Sequence, residues 1–111
     1  MAKEYYTKLS DLISELNIIS EIDSPLVVKH FFNGAALYIN GVICASWSPV
    51  GLAFKLPEKE TKLLISSGQA KPLQYFPKGQ IKKGYVLFDE PEISNHKQLK
   101  KYFLRAAQIT L

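Results

Sequence analysis

Thiol and imidazole groups are the first residues to test for chemistry. The chain has one cysteine, Cys44, and two histidines, His30 and His96. Thiolate catalysis needs an exposed sulfur with a base within hydrogen-bond reach. Cys44 lies between Ile43 and Ala45 in an apolar, β-rich run, which predicts a buried, inert thiol. His96 precedes the last helical segment and is expected at the surface. Three such ligands with no short spacing between them do not form a zinc motif, and no metal site is expected.

Asp89, Glu90 and Glu92 cluster around Pro91. A carboxylate pair for hydrolysis must sit on converging rigid elements. These three instead read as a solvated acidic loop ahead of a helix N-terminus. Glycines invite a different test. The stretch FFNGAALYINGVICASW at 31–47 holds Asn33-Gly34 and Asn40-Gly41. Neither a GxxxxGK[ST] phosphate loop nor a GxGxxG dinucleotide loop is present, and no helix follows that could present its N-terminus to a phosphate. Asn40-Gly41, between two apolar runs, predicts a tight hairpin turn because both residues tolerate positive φ. Asn33-Gly34 is read as a bulge, or as a place where another element packs close to the backbone. No catalytic residue, cofactor or metal is expected from these types and spacings, and the chain reads as no enzyme.

Basic residues remain. The net charge is +4, carried by 13 lysines and a single arginine. Lys82, Lys83, Lys97, Lys100, Lys101 and Arg105 are the candidate contacts for a nucleic acid or an acidic partner. Nucleic-acid sites lean on arginine, whose planar fork pairs with phosphates and guanine edges, so a lysine-dominated surface favours nucleic acid only as the alternative. Aromatics in or near the strands, among them Phe31, Tyr38, Trp47, Phe54, Tyr75, Tyr85 and Phe88, could stack on single-stranded bases. A sheet that must bury one face under helices uses them first as core.

The elements that position these groups follow from periodicity. At 111 residues, 47% hydrophobic and 22% charged, the chain is expected to form one domain with a packed core. The charged N-terminus has no apolar signal segment, and no apolar run reaches the ~20 residues of a membrane span; a cytoplasmic protein without membrane contact is expected. Tyr5, Leu9, Leu12, Ile13, Leu16 and Ile19 predict a first helix over about 3–19. A β-meander of three strands is expected over 28–56, with Leu52, Phe54 and Leu56 on one face of its last strand. A middle helix starts at Pro57 and exits through Gly68, burying Leu64 and Ile65. Strands near 72–76 and 84–88 follow. A last helix begins after Ser94 as N-cap and buries Leu99, Tyr102, Phe103, Ala106 and Ala107.

Within that order, KHFFNGAALYINGVICA followed by LAFKLPE resembles the N-terminal domain of the TfoX/Sxy family, regulators of natural competence. Phe32, Gly34, Leu37, Tyr38, Gly41 and Ala45 match that family's first pattern, and Leu52, Phe54, Lys55 and Glu58 its second. Leu73-Gln74-Tyr75, Tyr85 and the helix holding Leu99 and Ala106 resemble later family features. Asn33, Ala35-Ala36, Lys29 and Pro57 depart from the pattern. The resemblance spans about 9–107 and corresponds to the family's first domain without its C-terminal helical one. It implies an α+β, two-layer α-β(3)-α-β(2)-α fold with an antiparallel sheet, similar to type III secretion chaperones, in which Gly34 lies within a long, bent first strand. It also implies a non-enzymatic interaction domain in transcriptional regulation, working through a protein partner such as a transcription factor, with a homodimer as one form of that contact.

Overall fold

The computed structural model describes residues 2–31, 33–74, 79–90 and 95–110. Helix α1 (Ala2–Glu15) buries Leu9, Leu12, Ile13 and Leu16 along one stripe, as the spacing predicts. The stripe does not continue to Ile19. Asn17 adopts a left-handed conformation at φ 61, ending the first helix and redirecting the chain into the one-turn α2 (Ile18–Glu21). That change of phase buries Ile18 completely and leaves Ile19 exposed.

The sheet is six-stranded and antiparallel throughout, in the order β1-β2-β3-β4-β6-β5. Its strands are β1 (Leu26–Phe31), β2 (Gly34–Ile39), β3 (Val42–Ser48), β4 (Gly51–Lys55), β5 (Lys71–Leu73) and β6 (Lys82–Phe88). The first meander therefore has four strands, not the three expected. Phe31 faces Gly34 in the β1–β2 ladder, so β1 and β2 are two separate antiparallel strands. Gly34 opens the second of these and does not lie within one long bent strand. The α+β class with an antiparallel sheet is as expected.

Local chemistry explains the turns. Asn40 and Gly41 take φ values of 52 and 80, the mirror-image turn that matches the twist of a hairpin. Gly34 answers a different demand: a Cβ built there would lie 2.1 Å from the Trp47 carbonyl oxygen. Close backbone approach, one of the two uses expected for Asn33-Gly34, is what requires the glycine. A register shift between Leu37 and Tyr38 opposes Leu37 to Ala45 and Tyr38 to Ile43, so Cys44 is the extra residue of a β-bulge.

Helix α3 (Glu58–Ser66) starts after Pro57 and leaves through Gly68 at φ 80. Helix α4 (His96–Thr110) is capped by Asn95, whose Oδ1 accepts the Lys97 backbone N–H at 2.8 Å. Ser94, the expected cap, lies outside the described residues, as do Tyr75 and Phe76 of the strand expected near 72–76, which is observed as β5 (Lys71–Leu73). Helix α1 packs over β1–β3, α4 over β3 and β4, and α3 against β6 and β5.

Between helices and sheet lies the main core, which takes Trp47, Phe54 and Phe88 of the expected aromatics, while Tyr85 packs against a smaller cluster and Phe31 and Tyr38 are half-buried outside both. Phe54 meets Phe103 edge-on at 4.8 Å and Phe88 at 5.9 Å, and Phe88 stacks on Tyr102 at 5.3 Å. Such pairs add about 0.5–1.5 kcal/mol each beyond area burial. The opposite sheet face carries a cross-strand row running Lys29, Ala36, Ser46, Ala53, Leu87 and Lys71. Its four central members are buried, and Ala53 and Leu87 join Leu73 in a second, smaller cluster.

Candidate functional site

Cys44, His30 and His96 sit on three different elements, β3, β1 and α4. Cys44 is fully buried, and burial pushes its thiol up to about 12, with Lys55 opposing weakly. It is therefore a protonated thiol at neutral pH and a poor nucleophile. His30 sits on β1, two strands away from β3 or roughly 10 Å in the hydrogen-bonding direction, and its ring packs 5.1 Å from that of Tyr6. His96 Nδ1 lies 3.6 Å from Glu15 Oε1 at the surface. Asp89 is engaged by Lys71, whose hydrogen bond holds the carboxyl below its usual range. Glu92 lies outside the described residues. Among the described residues no three His, Cys, Asp or Glu side chains are placed to hold a metal ion.

What the fold does build is a groove of about 720 Å³ between α3 and α4. Leu56 at the end of β4, Leu64 on α3 and Tyr102 and Leu104 on α4 form its apolar floor. Leu63, 66% exposed, stands on its α3 wall. Consecutive residues on a helix are rotated by about 100°, so Leu63-Leu64-Ile65 cannot all face the core. Leu64 is buried, Ile65 packs partly against the core, and Leu63 is left outward.

Lys97, Lys100, Lys101 and Arg105 line this groove. They are four of the six basic residues singled out in the sequence. Lys83 is exposed on β6 and is not part of it, while Lys82 lies in β6 with its side chain outside the described residues. The four cations are not equivalent. Arg105 Nε donates to both Glu60 carboxylate oxygens, at 2.9 and 3.1 Å, and its Nη1 donates to Gln108 Oε1. Lys100 pairs with Glu21 of α2. Lys97 and Lys101 have no carboxylate within ion-pair distance among the described residues. Glu60 also acts on the floor: burial, with this nearby negative charge, raises the Tyr102 phenol above its ordinary value.

Leu63, Leu104 and Glu60 escape a reading by motif. The only local sign is the three-residue apolar run on α3, which is one residue too many for its buried stripe. In comparisons with known proteins, no family model, no curated protein and no solved structure matches the chain. No helix among the described residues is long and apolar enough to cross a membrane.

Proposed function

We propose that this chain is a non-enzymatic protein-interaction domain that acts in cytoplasmic transcriptional regulation through a protein partner such as a transcription factor. The observation that carries the reading is the α3–α4 groove, which sets an apolar floor beside an exposed leucine and a polar, lysine-bearing rim. That combination suits side-chain docking of a partner segment. The buried thiol and the separated histidines give no support to a catalytic role. The regulatory setting is taken from the resemblance of residues 29–58 to the TfoX/Sxy N-terminal domain. Direct nucleic-acid binding is disfavoured because two of the four groove cations are already held by carboxylates.

The test is an ultraviolet-activated cross-linking amino acid in place of Leu63, in cells expressing the chain. Adducts with a DNA-binding regulatory protein are expected. Light scattering of the purified chain with a random-sequence DNA duplex, at low and moderate salt, is the counter-test. A DNA complex that dissolves as salt rises, together with no protein adduct, overturns the reading.

A further inference from the structure

Resting on that interaction reading, we infer that the α3–α4 groove takes a short acidic amphipathic helix of the partner, with its carboxylates at the Lys97–Lys101 end. Three observations specify this occupant. Along α4 the lining runs from Lys97 to Gln108, about 16 Å at 1.5 Å per residue, which is room for about three helical turns. The floor of Leu56, Leu64, Tyr102 and Leu104, with Leu63 on the wall, suits apolar anchors recurring at i, i+3 or i+4, and i+7.

Charge then selects the chemistry. Lys97 and Lys101 are four residues apart on one helix, so they lie on the same face one turn apart. Two carboxylates one turn apart on a docked helix match them. At the other end Glu60 already occupies Arg105, and Gln108 accepts a further hydrogen bond from the same guanidinium. An acidic residue placed there meets Glu60 and is repelled. The groove is thus polar in the electrical sense, and it sets both the charge of the occupant and its direction. The excess of +4 over the whole chain adds long-range attraction for an acidic segment.

A second copy of this chain is poorly suited to supply that helix. Its two long amphipathic helices have already committed their apolar faces to the core, through Leu9, Leu12 and Ile13 on α1 and through Leu99, Phe103 and Ala106 on α4.

The test is an amide NMR titration with two synthetic helices of about 14 residues that share one leucine stripe. One carries glutamates beside the stripe and the other lysines. The acidic helix is expected to shift amides of α3 and α4 around the groove and to bind at least about tenfold tighter than the basic one. Lys97→Glu with Lys101→Glu reverses that preference. Leu63→Ser, at an exposed position that leaves folding intact, weakens the acidic helix about fivefold. Equal binding of both helices overturns the proposal. So do shifts confined to another surface such as the β1 edge, or groove shifts that appear with protein concentration alone; these two leave the interaction reading standing. Groove shifts with a DNA duplex and with neither peptide overturn both.

Discussion

Replacing Gly34 with alanine tests the close backbone approach between β2 and β3. The added Cβ would lie 2.1 Å from the Trp47 carbonyl oxygen, 2.7 Å from Ser48 Cα and 2.9 Å from Ser48 Cβ. Non-bonded carbon contacts are comfortable at about 3.5–4.0 Å, so the strands must separate by more than about 1 Å. Two of the three obstructing atoms are backbone, and no flexible side chain can swing away to relieve them. Overpacking of this kind costs about 1–3 kcal/mol, and each ladder hydrogen bond broken adds about 1 kcal/mol. A loss of about 3–4 kcal/mol is expected, a large share of the ~5–15 kcal/mol that holds such a domain folded. That lowers Tm by at least about 12 °C. Urea titration followed by the fluorescence of Trp47, the single tryptophan and the residue whose carbonyl is struck, reads the change directly. Gly41→Ala is the control. It meets no atom within 4 Å, and only its φ of 80 penalises it, by about 1–2 kcal/mol. If Gly34→Ala is no more destabilising than Gly41→Ala, the steric argument fails.

Three further outcomes follow from the packing and the charges. Phe54→Ala, which empties the centre of the Phe88, Tyr102 and Phe103 cluster, is expected to cost about 3–5 kcal/mol; a loss below about 1 kcal/mol in urea unfolding contradicts the placement of that core. Cys44 should make stability fall at alkaline pH. Its folded thiol lies at about 12 against an ordinary 9.0, so above pH 9 the unfolded chain releases a proton that the folded chain keeps. The unfolded state then binds fewer protons, and stability that is complete below 9 declines from there toward 12. Urea midpoints measured against pH should drop more steeply for the wild type than for Cys44→Ala, and parallel curves refute the assignment. Glu60→Gln removes the charge that helps to raise the Tyr102 phenol, so Tyr102 should titrate at lower pH in that variant; an unchanged NMR titration of its ring counts against the Glu60 contact.

The sequence by itself determined the features that neighbouring residues control. Asn40-Gly41 had to turn, because both residues accept positive φ and apolar strands flank them. The stripes of α1 and α4, the exit at Gly68 and the inert setting of Cys44 followed from spacing and from the character of adjacent side chains. Only the tertiary structure decided the rest. The first meander has four strands because Phe31 pairs with Gly34, and Gly34 is needed because the backbone of Trp47 and Ser48 at the far end of β3 packs against it. Ile18 displaced Ile19 from the core through one left-handed asparagine. The groove arises because α3 and α4 lie side by side, joined by a Glu60–Arg105 pair 45 residues apart in the chain. Which lysines pair with a carboxylate among the described residues depended on which carboxylates packing brought near them. Local backbone preference is written in adjacent residues. A surface made by two helices distant in sequence depends on how they pack, and a window of adjacent residues does not contain that information.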